Sequence, residues 1–141
     1  MAWKSEMSAL VLRIVLGATF IVHGSMKFSS GISNIAGWFQ SIGLPSVLAY
    51  GVATVELIGG IAILLGLGTK VVAALLALVM AGAIVKVKLA AGFTGNGQGA
   101  GWELELALLA MAISLLVTGG GTFSVDSMLR NKREVQASRF V

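Results

Sequence analysis

The stretch ATVELIGGIAILLGLG, residues 53–68, decides the fold. It is apolar and dotted with glycine, and it carries one ionisable residue, Glu56. A carboxylate inside such a run is costly in lipid, so it must face the interior of a bundle and find a partner there. Gly59 and Gly60 follow at i+3 and i+4. They share the helical face of Glu56 and let another helix approach closely. Every other charged residue within an apolar run is then a candidate partner for Glu56.

Composition agrees with a membrane setting. The chain is 57% hydrophobic and only 11% charged, with a mean hydropathy of +0.94. A soluble domain carries about 25% charged residues. The 141 residues allow one compact domain. The net charge is +4, but most of the ten lysines and arginines flank apolar runs. That assigns them to membrane topology rather than to nucleic acid. The absence of cysteine excludes a disulfide framework, thiolate metal ligands, covalent haem attachment and thiol chemistry by this subunit. A single histidine, His23, excludes bis-histidine haem ligation within one chain. Lys4 precedes the first apolar run as in a signal peptide, but Arg13 interrupts that run and no small-x-small cleavage site follows. The run is therefore read as a retained span. No lipidation motif is evident.

A span needs about 20 mostly apolar residues. Four stretches qualify, at 8–26, 47–67, 71–91 and 102–119. The backbone of each must be helical, because lipid offers it no hydrogen-bonding partners. The expected fold is all-α: an integral membrane four-helix bundle over residues 1–126, followed by a basic cytoplasmic tail at 127–141. Residues 66–70 leave room only for a tight hairpin between spans two and three. The connector FSSGISNIAGWFQSIGLP (28–45) has Ile32, Ile35, Phe39 and Ile42 at helical spacing, with Trp38 suited to the headgroup level. It reads as a short interfacial helix ended by Gly43 and Pro45. The connector GFTGNGQGAG (92–101) lacks the Lys-Ser/Thr of a phosphate loop and reads as a flexible linker. After span four, Ser124 or Asp126 is placed to cap one short helical turn, and the basic tail beyond reads as a lipid-contacting anchor with a disordered end.

Four spans put both termini on one face of a bacterial-type plasma membrane. Lys4, Lys70, Arg130, Lys132, Arg133 and Arg139 fall on that face, against Lys27, Lys86 and Lys88 on the other. The excess makes the terminal face cytoplasmic. Alternating span directions then bring His23, Lys27, Glu56, Lys86, Lys88, Glu103 and Glu105 to the outer half of the bundle. Glu56 lies nine residues into its span, about 14 Å deep. It is either a structural lock between helices or a proton acceptor, since burial raises a carboxyl pKa and a nearby lysine lowers it. His23 and Lys27, at i and i+4, share a face, and His23 is either a bonded structural residue or a proton-transfer group. Lys86 and Lys88 point about 200° apart on an α-helix, so only one can face the core. Glu103 and Glu105 have the same relation. The small-residue stripe Ala107, Ala110 and Ser114 below Glu103 makes Glu103 the inward group. Arg13 and Asp126 lie at similar depth in the inner half and are expected to form a structural ion pair. Glu56, Glu103 and His23 could ligate a hard cation, but three lysines nearby oppose one and no Glu-x-x-His motif is present, so no metal is expected.

The segments LRIVLGATFIVHGSMKF (12–28), GLP (43–45), ATVELIGGIAILLGLGTK (53–70), MAGAIVKVK (80–88) and GWELELALLAMAISLLVTGGGTFSVD (101–126) cover nearly the whole chain outside its tails. In that order they resemble the DoxX family of small four-helix membrane proteins. Some members of that family are described as subunits or relatives of quinol-oxidising complexes. One departure stands at Lys88, where many relatives carry histidine.

The resemblance implies a redox accessory that binds a quinone or quinol, or a similar small apolar molecule. Glu56 would accept protons, and His23 with Lys27 would orient the quinone oxygens. Glu103 and one of Lys86 or Lys88 would tune Glu56. The chain would then be an oxidoreductase subunit without a redox-cofactor motif of its own, quinone being the one cofactor in view. Its partners would be the lipid bilayer, a redox protein and copies of itself. Two other classes compete: a non-catalytic scaffold or assembly factor, and, less favoured, a small-molecule carrier. A quinone site requires an apolar cavity beside Glu56. A scaffold requires paired charges and no cavity. A carrier requires a wet path to both faces.

Overall fold

A computed structural model describes residues 2–140. Six α-helices are present among them: α1 (Ala2–Ser29), α2 (Ile32–Ser41), α3 (Ser46–Leu65), α4 (Thr69–Ala83), α5 (Glu103–Thr118) and α6 (Val125–Ser138). A π-helical turn (Ile84–Lys88) and a 3-10 turn (Leu89–Ala91) continue α4. Three helical stretches are long and apolar enough to cross a membrane: Trp3–Ser29, Ser46–Leu65 and Thr69–Ala91. The fourth expected span, 102–119, holds only the 16-residue α5. At 1.5 Å per residue that is about 24 Å, short of a hydrocarbon core about 30 Å thick.

The helices contact one another in a ring, with α1 on α3, α3 on α4, α4 on α5 and α5 back on α1. Leu16, Phe20, Ile63, Leu76, Ala112 and Leu115 fill the centre and are essentially inaccessible. Large apolar side chains such as Ile58, Leu78 and Val117 point outward instead. A soluble protein does not expose so much apolar surface, whereas contact with lipid requires it.

The glycines set the closest approach. A Cβ at Gly60 would sit 2.7 Å from the Ile21 amide nitrogen, and one at Gly17 would sit 2.8 Å from the Gly60 carbonyl oxygen. Backbone therefore meets backbone where α1 crosses α3, the small-residue packing that helices use in lipid. Gly59, on the adjoining face, receives Val72 and Leu76 of α4. The two glycines beside Glu56 thus serve two different neighbours.

The end of the bundle where α1 begins and α6 follows α5 is tied by polar contacts. Arg13 is 2% exposed, and its guanidinium donates to four carbonyls: Ile63 (3.0 Å), Leu64 (2.9 Å), Gly120 (3.0 Å) and Phe123 (2.6 Å). Two of these are among the last carbonyls of α3, where the helix end attracts a cation; Ile63 O also takes the Gly66 amide. Asp126 accepts from the Gly68 and Thr69 amides at the start of α4 (2.7 and 2.9 Å). The expected Arg13–Asp126 ion pair is therefore not formed. Each charge binds the backbone end beside it, where unfilled donors and acceptors are nearer than the opposite side chain. Gly66, left-handed at φ 72°, makes the α3–α4 turn possible, and a side chain there would strike Arg13 and Ser124.

Three connectors differ from expectation or refine it. The short helix expected in the first connector exists as α2, with Ala36 and Phe39 buried against Ala49 of α3. The glycine-rich connector is not a loose linker. It closes on itself through Trp102 N–H to Gly92 O (3.2 Å), Glu103 N–H to Phe93 O (3.1 Å) and a Phe93–Trp102 edge contact. The tail holds a 14-residue helix rather than one short turn. Ser124 caps it through the Ser127 amide, and Asp126 stands in its first turn, where a carboxylate favours helix.

Candidate functional site

At the end opposite the Arg13 contacts, four elements converge on a polar cluster. Lys27 lies in the last turn of α1, and its ammonium meets Glu56 Oε2 of α3 at 2.6 Å. Glu56 is 3% exposed. Lys88, at the end of the π-turn, meets Glu105 Oε1 of α5 at 2.6 Å. Among the described residues these are the two side-chain ion pairs. Burying a carboxylate costs several kcal/mol (an order of magnitude) unless a counter-charge and hydrogen bonds accompany it, which explains why both are paired.

Both pairs line one cavity of about 460 Å³. Its remaining polar lining is His23 and Lys86, and its apolar wall includes Trp38 and Phe39 of α2, Leu48 and Val52 of α3, and Leu78 and Met80 of α4. Helix α2 therefore forms part of the site. With lysines and glutamates ionised and His23 neutral, Lys27, Lys86 and Lys88 exceed Glu56 and Glu105 by one positive charge. A cavity of this kind accepts an apolar ring or chain, and its excess cation favours an electron-rich oxygen.

Five of the six residues assigned to a ligand site from sequence line this cavity: His23, Lys27, Glu56, Lys86 and Lys88. Glu103 does not. It is exposed, and Glu105, 8% exposed, is the inward carboxylate. The buried stripe of α5 is Glu105, Leu108, Ala112 and Leu115, spaced 3, 4 and 3, a heptad-like seam against α4. That spacing of larger residues was the signal for Glu105. The small residues Ala107 and Ala110, which suggested Glu103, are exposed. The expectation that only one of Lys86 and Lys88 could face inward also fails, since both line the cavity. Val87, between them, lines it too, and Lys86 remains exposed, so the cavity lies at the end of the π-turn and takes lining from more than one of its faces. No three His, Asp or Glu side chains come together as metal ligands among the described residues.

A second recess, about 440 Å³, lies at the opposite end between Glu6, Thr69, Lys70, Asp126 and Arg130. Burial alone would raise the Asp126 carboxyl. The Thr69 and Gly68 amides and the Arg13 charge outweigh that and hold it below its ordinary value.

Comparison with known proteins follows the same outline. The DoxX family model matches residues 8–89, a stretch that holds His23, Lys27, Glu56, Lys86 and Lys88 and stops before Glu105. The chain is 43% identical over 121 residues to a Bacillus subtilis protein named "Putative oxidoreductase CatD", covering 86% of each chain. It is 32% identical to the "Uncharacterized membrane protein Rv3486" of Mycobacterium tuberculosis, covering 94% of this chain and 87% of that one. It is 31% identical to an uncharacterized Haemophilus influenzae protein, covering 86% and 90%. No solved structure matches. The chain belongs to the DoxX family.

Proposed function

We propose that this member of the DoxX family binds a quinone or quinol headgroup, or a similar small apolar molecule, in the cavity beside Glu56 and acts as an accessory to a membrane redox complex. The observation that carries the reading is the cavity itself. It is largely apolar, and it brings two lysine–glutamate pairs, His23 and an unpaired Lys86 to one ligand-sized space. Lys27 and Glu56 would exchange a proton with a ligand oxygen, and His23 and Lys86 would orient it. Electrons would pass to a partner protein, because no redox-cofactor motif is present in the sequence. The relative's name as an oxidoreductase agrees with this class of activity.

The same reading takes α5 as a fourth, short span that completes a four-helix bundle. Its ends reach the headgroup layers through Trp102 and the glycines at 119–121. Both termini then lie in the cytoplasm, as the lysine and arginine bias requires. A second reading, a scaffold locked by its charges, draws on the pairing of both carboxylates but leaves the cavity unused.

Titration of a quinone analogue into purified protein in lipid tests the proposal. Saturable binding that weakens at least tenfold in a folded Glu56→Gln variant is expected. The absence of saturable binding to well-folded wild type would overturn the quinone reading in favour of the scaffold.

A further inference from the structure

Glu105 carries an oxygen that the fold does not satisfy. Its Oε1 meets Lys88, whereas Oε2 is buried without a hydrogen-bond partner. A carboxylate held against an ammonium has only acceptors to offer. A buried acceptor left bare bears its full desolvation penalty, so native proteins rarely tolerate one. Here the bare oxygen is itself buried and belongs to a residue that lines the cavity, with a side chain 11% exposed.

The surroundings narrow what could satisfy it. The nearest cation is already engaged through Oε1, and the cavity wall below Glu105 is Leu108. Neither Lys86 nor His23, the other donors in the lining, bonds Oε2, so a donor on an occupant of the cavity can fill it. Resting on the ligand reading above, we infer that Glu105 is a specificity residue that accepts an O–H from the ligand, so that the cavity selects a phenolic, hydroxyl-bearing molecule over its carbonyl counterpart. Glu56 and Glu105 then divide the work. The Lys27–Glu56 pair meets one polar end of the ligand, and the Lys88–Glu105 pair recognises the hydroxyl. Lys88, in the π-turn, engages Oε1 of Glu105 and leaves Oε2 over. Neither carbonyl of an oxidised quinone can supply a donor, so such a ligand leaves Oε2 bare. Discrimination by a site built to accept a hydroxyl is large for that reason.

Three probes separate the possibilities: a decyl-substituted hydroquinone, its dimethyl ether and the corresponding quinone. Each is titrated anaerobically into the protein in lipid nanodiscs. The hydroquinone is expected to bind about tenfold more tightly than either of the others, or better. In Glu105→Gln, whose amide can donate to a carbonyl, the preference should vanish or invert while affinity for the ether is kept. Equal affinity of wild type for all three probes would overturn the role of Glu105 and leave the cavity reading intact. Failure of all three to bind would overturn both. If Glu105→Gln does not fold, Glu105→Ala is titrated in its place, and an unchanged preference for the hydroquinone in it would overturn the role of Glu105.

Discussion

Replacing Arg13 by leucine should destabilise the bundle by about 3–5 kcal/mol. The magnitude follows from its four carbonyl contacts. The Ile63 carbonyl keeps a second donor, the Gly66 amide, so three carbonyls, those of Leu64, Gly120 and Phe123, lose the only partner described for them. Each buried acceptor left bare costs roughly 1–1.5 kcal/mol at the lower end of the usual range. Leucine restores packing around Leu16 but offers no hydrogen, so little of this is recovered. Arg13→Lys keeps a charge near the end of α3 but cannot fork to four oxygens on two segments, and it should recover less than half. The assay is reversible unfolding in mixed micelles with increasing SDS, followed by tryptophan fluorescence, with the same samples checked for helix content before denaturant. A cost below about 1 kcal/mol for Arg13→Leu would refute the claim that these carbonyls depend on the guanidinium.

Other substitutions test the remaining contacts. Gly60→Ala places a methyl group against the backbone of Ile21 and Gly17, and should cost about 1–3 kcal/mol by the same unfolding assay. Gly51→Ala, also in α3 but facing open space, should be neutral or add up to about 1 kcal/mol, because it removes only a helix-interior glycine. The Asp126 carboxyl sits below its ordinary value. Its stabilisation is therefore complete above the ordinary carboxylate pKa of about 3.9 and is lost as the pH falls through the lower folded-state value. Unfolding measured from neutral pH downward should show this acid-side loss, and Asp126→Asn should already lack that increment at pH 7 and show a flatter acid limb.

Much of the architecture was legible because lipid simplifies the reading. Long apolar runs gave three helices, and Ile32, Ile35 and Phe39 gave the short α2. Gly59 and Gly60 marked close helix approach as expected, but by two helices, α4 and α1, rather than by one on a shared face. What escaped depends on rotation and on backbone groups. Glu103 and Glu105 are equally polar neighbours, and only the turn of α5 against α4 separates them. Lys86 and Lys88 point apart along their own element, but hydropathy does not reveal that a cavity lies at the end of that element and takes lining from both. Arg13 and Asp126 were placed near each other, but unfilled helix-end carbonyls and amides do not appear in a count of side-chain charges. The length of α6 was underestimated because a charged, mobile-looking composition hid a capped helix.

The reach of Arg13 has a consequence for how the protein is made. Two of its acceptors lie 107 and 110 residues further along the chain. At a synthesis rate of about 5–20 residues per second, the first helix therefore waits roughly 5–20 s after emerging before those carbonyls exist. During that interval a guanidinium destined for the interior sits in a newborn helix with part of its binding site not yet translated. Insertion cannot be completed span by span. The last segment to leave the ribosome closes the first, and a chain truncated before residue 120 should be handed to membrane quality control even though every long apolar helix has already been delivered.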